Sequence, residues 1–242
     1  MTAPGNSRPQ KGFFVTATDT GVGKTVFTAA LALRLRAAGR DVVALKPFAS
    51  GAIDANGRRV SADARFLEQA ACSGETLDDL NPVLFDAPLA PAVAARLEGR
   101  SIDVQAVASH VLRVAARHEI ALVEGIGGLL VPLTDACLVA DFAAMLGLPL
   151  IVAARPGLGT INHTTLTVEC ARARGLRVAG IVICALPATP DIARETNPAE
   201  IQRITRLPVL ATLPAIAGID VEAGLDTGLQ PLAAAIDPLL FI

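Results

Sequence analysis

Apolar runs of strand length alternate with stretches of helical pattern along this chain. Runs such as LPLIVAA and VAGIVIC are continuously apolar, which is typical of parallel strands covered by helices on both faces. The pattern predicts strands at Gly12–Ala17, Asp41–Lys46, Ile120–Glu124, Pro149–Ala153, Val178–Cys184 and Val209–Ala211. It predicts helices at Lys24–Ala38, Ala62–Cys72, Val104–His118, Leu138–Leu146, Ile161–Arg174, Pro198–Arg206 and Leu229–Leu239. The alternation indicates an α/β fold with a doubly wound, mainly parallel sheet and helices on both of its faces.

The organisation along the chain indicates one domain. The first residues, MTAPGNSRPQK, are polar and lack the apolar segment of a signal peptide, so residues 1–11 are expected to form a flexible tail. No internal repeat, low-complexity block or linker interrupts the remainder. We therefore predict a single α/β domain over residues 12–242.

Composition and charge narrow the range of partners. No uncharged run exceeds 13 residues, which is short of the roughly 20 needed to span a bilayer. The net charge is −2, so no basic footprint for nucleic acid is evident, and with no Trp, no Tyr and eight Phe the chain offers little on which bases could stack. The four cysteines are widely spaced without a C-x-x-C pair, which fits a reducing compartment. We expect a cytoplasmic protein that binds small molecules and has no nucleic-acid or membrane partner.

The segment FFVTATDTGVGKT has the order of a phosphate-binding loop of the P-loop NTPase type, with an apolar strand before it and an apolar helix after it. The backbone of Gly21 to Gly23 is expected to turn its N–H groups around phosphate oxygens, while Lys24 adds a positive charge and Thr25 a hydroxyl for Mg²⁺. Ala17 stands where the pattern has its first glycine, and an alanine is tolerated there if its φ is negative.

In open parallel sheets ligands bind beyond the carboxyl ends of the strands, and charged residues interrupt the apolar runs at several of these ends. Lys46 closes the second predicted strand, where a second cation would serve phosphoryl transfer. Glu124 ends another and suits Mg²⁺, with the glycines that follow it letting backbone approach a ligand. Asp63 begins a predicted helix, and its position fits either an N-cap or a metal ligand.

Seven motifs occur in the order found in the dethiobiotin synthetase family, which this chain resembles from Phe13 to about Pro214. They are TATDTGVGKT, ALKPFASG, SAD, NPVLFDAPLAPAVAARLEG, LVEGIGGLLVPL, GLGTINHT and LPVLATLP. The resemblance implies an ATP-dependent ligase of biotin biosynthesis, which forms dethiobiotin from 7,8-diaminopelargonate and CO₂ or bicarbonate. The reaction runs through a carbamate and a carbamic–phosphoric anhydride.

The resemblance also implies roles for individual residues. Lys46 and Lys24 are implied as catalytic residues, and Thr25, Asp63 and Glu124 as ligands of Mg²⁺. The implied nucleotide-binding residues are Gly21, Val22, Gly23, Lys24, Thr25, Val26, Asp63, Glu124, Gly125, Ile126, Gly127, Cys184, Ala185, Leu213, Pro214 and Ala215. The implied substrate-binding residues are Thr20, Ser50, Gly159, Thr160 and Asn162. Because the segment from Gly159 resembles one that receives the substrate carboxylate from the partner subunit, a homodimer with sites at the interface is implied.

One departure from the family bears on nucleotide choice. Cys184 and Ala185 stand where many members carry Asn-Asp. An asparagine pairs with adenine through two hydrogen bonds, whereas a thiol is only a weak donor. We therefore expect that nucleoside triphosphates other than ATP are also accepted.

Two other classes of protein resemble parts of the chain. Partition-type regulatory ATPases carry a signature lysine early in the loop, in K-G-G-x-G-K-T, where this chain has Asp19. Amidating synthases of corrin-ring synthesis need a glutaminase domain, whereas only 28 residues follow Pro214. Both alternatives are weaker than the ligase.

Overall fold

The structure is a computed structural model, and it describes residues 11–186 and 192–241. Its strands are β1 (Lys11–Ala17), β2 (Val42–Leu45), β3 (Phe48–Ser50), β4 (Ile53–Ala55), β5 (Arg58–Val60), β6 (Val83–Phe85), β7 (Ile120–Gly128), β8 (Pro132–Thr134), β9 (Cys137–Leu138), β10 (Leu150–Ala154), β11 (Val178–Leu186), β12 (Val209–Pro214), β13 (Ile219–Asp220) and β14 (Leu225–Asp226). Its helices are α1 (Lys24–Ala37), α2 (Ala62–Ala71), α3 (Leu77–Leu80), α4 (Pro91–Leu97), α5 (Val104–Ala115), α6 (Val139–Leu146), α7 (Thr160–Ala173), α8 (Ile192–Thr205) and α9 (Leu229–Ala234), followed by a 3₁₀ helix at Pro238–Phe241. Residues 1–10 of the predicted tail lie outside the described residues.

Six strands form a parallel sheet in the order β12-β11-β10-β1-β7-β2. Side chains that alternate along β1 enter different cores, since Phe14 belongs to the cluster on one face and Val15 to the cluster on the other. Both faces are therefore covered, and the predicted doubly wound α/β fold is confirmed. Four separate two-stranded pairs, including β3 with β6 and β13 with β14, lie around this sheet.

Strand β1 approaches β7 closely at Gly12. Gly12 has φ +151°, and a Cβ placed on it would lie 2.0 Å from the carbonyl oxygen of Ala121. Ala121 is its register partner in β7. The contact leaves no room for a side chain, so glycine is required at this point of the central strand.

All six predicted sheet strands and all seven predicted helices are present, although several of their ends differ. Helix α8 begins at Ile192, so the predicted start at Pro198 is wrong and the proline lies inside the helix. Helix α9 ends at Ala234 and not at Leu239, and Pro238 begins a separate 3₁₀ helix, so the predicted end is wrong. Within the described ranges, no helix has both the length and the apolar composition needed to cross a membrane.

Candidate active site

The phosphate loop connects the central strand β1 to α1. Gly21 and Gly23 have φ of +70° and +106°. Gly23 is the N-cap residue of α1, and no side chain caps the N–H groups of the first turn of this helix. These N–H groups are consequently suited to an anion. Ala17 is the final residue of β1 and has a negative φ, as a residue other than glycine requires at this position.

Asp19 shapes the first half of the loop. Its Oδ1 accepts a hydrogen bond of 2.7 Å from the N–H of Thr20. Its Oδ2 forms an ion pair with Arg155, which follows the neighbouring strand β10. The residue that stands in place of the partition-type lysine thus serves to order this loop.

A cleft of about 480 Å³ opens beside the loop. Twelve of the residues expected at the site line it, namely Thr20, Gly21, Gly23, Lys24, Thr25, Val26, Lys46, Ser50, Asp63, Glu124, Ile126 and Gly127. They come from the ends of three adjacent strands, β1, β7 and β2, and the segments that follow them, together with Ser50 at the end of β3 and Asp63 in the first turn of α2. The sheet edge therefore assembles residues that are far apart in sequence.

Lys46 is the centre of a buried ionic cluster in this cleft. Its Nζ donates to Oε1 of Glu124 at 2.5 Å and lies 2.7 Å from Oδ2 of Asp63. The same Oε1 accepts a hydrogen bond of 2.8 Å from the Thr25 hydroxyl. The side chains of Lys46 and Glu124 are 4% and 0% exposed, so solvent screens their attraction very little.

These contacts change the acid–base properties of the cluster. Burial alone would lower the pKa of Lys46, but the carboxylates of Glu124 and Asp63 outweigh it and raise the pKa. Burial lowers the pKa of Lys24, as does the nearby charge of Lys46. Burial opposes ionisation of Asp63, yet Lys46 prevails and the pKa of this carboxyl is lowered. Lys46 is therefore held as an ammonium between two carboxylates.

The backbone of Lys46 is held independently of its side chain. Its N–H donates to the carbonyl oxygen of Leu80 at 2.9 Å. Its own carbonyl oxygen accepts a hydrogen bond of 2.6 Å from Nδ2 of Asn81, and this amide nitrogen also contacts the carbonyl oxygen of Val83 at 3.2 Å. Asn81 is buried, so both contacts are shielded from water.

Asp63 is not the cap of α2. Ser61 takes that role, because its side chain accepts a hydrogen bond from the N–H of Ala64 at 3.2 Å. Of the two alternatives left by the sequence, the structure thus frees Asp63 for the cleft.

The oxygens around Lys46 fit a divalent metal ion. Oε2 of Glu124 is buried and has no hydrogen-bond partner among the described residues. Carboxylate and hydroxyl oxygens are the donors that Mg²⁺ prefers, and Thr25, Asp63 and Glu124 supply them. Across the described part of the chain no group of three or more His, Cys, Asp or Glu side chains could hold a metal ion. A cation at this point would accordingly need further oxygens from a nucleotide and water.

A second cavity of about 200 Å³ adjoins the first, and the two share Gly23 and Val26. It is lined by Gly23, Val26, Phe27, Cys184, Ala185, Leu213, Pro214, Ala215, Ile216, Ile219 and Leu232. Five of the expected nucleotide-binding residues are included, namely Cys184, Ala185, Leu213, Pro214 and Ala215. Burial raises the pKa of Cys184 to about 12, so this wall carries a neutral thiol.

Five expected residues line neither cavity. The side chain of Val22 is buried in the core. A Cβ on Gly125 would lie 3.0 Å from the ring of Phe14, so close packing explains the glycine at this position. Gly159, Thr160 and Asn162 lie at the start of α7, outside the lining of both cavities. Next to them Leu158 is 96% exposed.

Sequence reasoning missed the β13–β14 hairpin. It brings Val221 and Glu222 to the larger cleft, while Ile219 lines the second cavity. The hairpin therefore spans the two cavities. Gly218 and Gly224, both with positive φ, were the available turn signals.

Comparison with known proteins agrees with this arrangement. A family profile described as an AAA domain matches residues 11–223. ATP-dependent dethiobiotin synthetase BioD of Anaeromyxobacter sp. (strain Fw109-5) is 52% identical over 210 residues, covering 86% of this chain and 92% of the relative. The protein of the same name from Bacillus subtilis (strain 168) is 42% identical over 212 residues, covering 88% and 90%.

Solved structures with low sequence identity share the fold. The septum site-determining protein MinD complexed with Mg-ADP from Pyrococcus horikoshii OT3 aligns with a TM-score of 0.55 at 17% identity, covering 96% of this chain and 94% of that one. A ParA family ATPase from Chlorobium tepidum TLS aligns with a TM-score of 0.55 at 14% identity, covering 93% of each chain. These likenesses concern the fold alone.

Proposed function

Because the chain belongs to the ATP-dependent dethiobiotin synthetase family, we propose that it closes the cyclic urea of dethiobiotin from 7,8-diaminopelargonate, CO₂ and ATP. The observation that carries this proposal is the convergence of the phosphate loop, Lys46, Asp63 and Glu124 in one cleft. The cleft also presents the hydroxyls of Thr20 and Ser50 to a polar substrate. It thus offers charge and hydrogen bonds for phosphoryl transfer.

The proposed chemistry needs little acid–base help from the protein. One amine of the substrate adds to CO₂ and loses a proton, giving a carbamate. A carbamate oxygen attacks the γ-phosphorus of ATP, and ADP leaves. The second amine then attacks the carbonyl carbon of the mixed anhydride and loses a proton, and inorganic phosphate departs and can carry that proton away as the ring closes.

Positioning and charge stabilisation are therefore the main tasks of the side chains. Lys24 and the N–H groups at the start of α1 hold phosphate oxygens, and Lys46 stabilises charge on the transferring group. Thr25, Asp63 and Glu124 would hold Mg²⁺, which when bound neutralises charge on the nucleotide phosphates. Ser50 and Thr20 contact the diamine or its carbamate.

The nucleotide is proposed to lie across both cavities. Its base occupies the apolar cavity beside Cys184, and its phosphates reach the loop. Glu222 lies where the hairpin crosses between them, and a carboxylate suits the hydroxyls of a ribose.

We further propose that the active unit is a homodimer. The start of α7 has N–H groups suited to a carboxylate but lies outside the cleft of its own chain. Leu158 and Leu166 are exposed beside it and on the same helix, at 96% and 60%. A second copy packed on this face would cover these leucines and offer α7 to the neighbouring cleft.

A single assay tests the activity. Protein is mixed with 7,8-diaminopelargonate, bicarbonate, MgCl₂ and ATP, and dethiobiotin is sought by mass spectrometry. We expect product in parallel with ADP, and a loss of at least ~100-fold in kcat for both Lys46→Ala and Lys24→Ala, the scale of one preorganised charge contact. ATP hydrolysis without dethiobiotin would instead favour a regulatory ATPase. Near-normal turnover of Lys46→Ala would remove the catalytic role given to this lysine.

A further inference from the structure

The Lys46 ammonium lies where the proposed metal ligands converge. It is 2.5 Å from Oε1 of Glu124 and 2.7 Å from Oδ2 of Asp63, and Thr25 donates to the same Glu124 oxygen. All three residues that would hold Mg²⁺ thus surround or contact the oxygens that Lys46 already binds. The ammonium is also 3.3 Å from the carbonyl oxygen of Gly125, so oxygens face it from several directions.

We propose that Lys46 and a divalent cation exclude one another from the oxygens of Asp63 and Glu124. The inference rests on the proposed function, because it concerns the same cleft. A divalent cation held by the same two carboxylates would lie close to the Lys46 ammonium, and their repulsion is strong because Lys46 and Glu124 are buried. Binding of the metal therefore releases the Lys46 ammonium into the cleft, where the phosphoryl group is transferred.

The exchange couples the lysine to the metal and nucleotide. With Lys46 in place its positive charge is shared between the two carboxylates, so a metal ion alone must overcome the repulsion of the ammonium and gains little by displacing it. A metal–nucleotide complex supplies phosphate oxygens to the metal and an anionic partner to the released ammonium. The two cations are then both satisfied, and Lys46 meets the phosphates only when the metal is present.

The sign of this coupling can be measured with Mn²⁺ alone. Without nucleotide, wild type should bind Mn²⁺ weakly, and Lys46→Gln should bind it at least about tenfold more tightly, a common size for coupling between two sites. Free Mn²⁺ is followed by electron paramagnetic resonance during titration. Lys46→Arg retains the positive charge and should bind as weakly as wild type.

Lys24→Gln is the matched control for general charge. It removes a cation from the same cleft, but the side chain of Lys24 makes no hydrogen bond in the described structure like those of Lys46, so its gain should stay within roughly threefold. Equal Mn²⁺ affinity in folded wild type and Lys46→Gln would overturn the proposal. So would an equal gain in Lys24→Gln and Lys46→Gln.

Two measurements guard against a variant that folds poorly. Mn²⁺ should raise the Tm of Lys46→Gln more than that of wild type, since it binds the folded state and replaces the missing charge. The double variant Lys46→Gln/Asp63→Asn leaves one unpaired carboxylate, and it should still bind Mn²⁺ more tightly than Asp63→Asn. Failure of either comparison counts against the exchange.

The proposed function and the proposed exchange can fail separately, and the two failures give different results. If wild type forms no dethiobiotin but Lys46→Gln gains Mn²⁺ affinity, the exchange stands and the substrate is wrong. If dethiobiotin forms and the gain is absent, the ligase stands and the exchange is wrong.

Discussion

Asn81 fixes the backbone of Lys46, the proposed catalytic lysine. Replacing it by alanine removes both hydrogen bonds of its amide, to the carbonyl oxygens of Lys46 and Val83. We expect Asn81→Ala to lower kcat by about 10- to 100-fold, because small displacements of a positioned group are costly, while the KM for nucleotide changes less than about twofold.

Loss of stability alone would not give this separation of kcat from KM. Thr205→Val is a suitable control, since the Thr205 hydroxyl is buried and donates to the carbonyl oxygen of Ile201 at 2.7 Å, away from the cleft. It should lower the Tm and leave kcat near that of wild type. Equal effects of both variants on kcat would make Asn81 a structural residue only.

Cys184 bears on the choice of nucleotide. Its cavity wall is largely apolar and offers a neutral thiol in place of a bidentate amide. A bidentate base contact gives about 1–3 kcal/mol of discrimination, so without it CTP or GTP should support ring closure with kcat/KM within roughly tenfold of ATP. The measurement is dethiobiotin formation with each nucleotide at limiting concentration.

Cys184→Asn should move the preference towards ATP. A wild-type preference for ATP above about a hundredfold would contradict the expectation. Discrimination of that size is about what one bidentate amide contact gives, and the wild type lacks this contact. An unchanged preference in the variant would place the base elsewhere.

The sequence motifs predicted which charged residues meet in the cleft, but they did not predict the residues that pack around these and hold them in place. Lys46 and Glu124 end predicted strands and Lys24 closes the loop after another, so the rule for strand ends was enough to bring them together. The roles of Asn81 and Glu222 depend on tertiary contacts of a short turn and a hairpin, and no local pattern encodes those contacts. Whether an alanine fits at position 17 of the loop depends on its φ, which the sequence does not give. The structure shows that this φ is negative.

At the scale of the elements, the close approach of β1 and β7 makes one glycine critical. Gly12→Ala would place a methyl group 2.0 Å from the Ala121 carbonyl oxygen. We expect a loss of about 2–4 kcal/mol in the free energy of unfolding, from steric displacement together with unfavourable φ. Urea denaturation measures it.

Gly39→Ala is the matched control for backbone strain without crowding. Gly39 has φ +77° and open space around the position of a Cβ. Its loss should be limited to about 1 kcal/mol. If the two variants were equally destabilised, the contact with Ala121 would have no special weight.

Long elements with clear periodicity were predictable, whereas short ones were not. The six sheet strands follow from apolar runs, but β13 and β14 have two residues each and are set by turn geometry and packing. Proline favours the first turn of a helix, but Pro198 lies inside α8, which begins at Ile192.

At the scale of the whole molecule, shared sites in a dimer predict complementation between two inactive variants. Lys46→Ala disables the cleft, and Asn162→Ala weakens the expected contact to the substrate carboxylate from the partner's α7. In a hybrid dimer one site has both defects and the other has none. Random mixing of subunits should therefore restore roughly a quarter of wild-type activity at a low diamine concentration.

Each variant alone must be measured at the same concentration, and mixing must include a step that exchanges subunits. Sites built from one chain would give only the average of the two variants, and that result would contradict the shared arrangement. At the level of sequence the proposed dimer rests on the resemblance alone, because the sequence pattern of one chain does not indicate which exposed leucines a second copy would cover.

The order of the strands sets how the two lysines move. Lys24 begins α1, after the loop that follows β1, and β1 is paired on both sides. Lys46 follows β2, which in the described sheet pairs only with β7. Amide hydrogens of β1 should exchange with solvent only when the whole sheet opens, and those of β2 through smaller local openings. We therefore expect the loop after β1 to be the more rigid part of the cleft. The backbone that carries Lys46 should open more often, because it follows a strand at the edge of the described sheet, and the proposed exchange of partners would need only such a local opening.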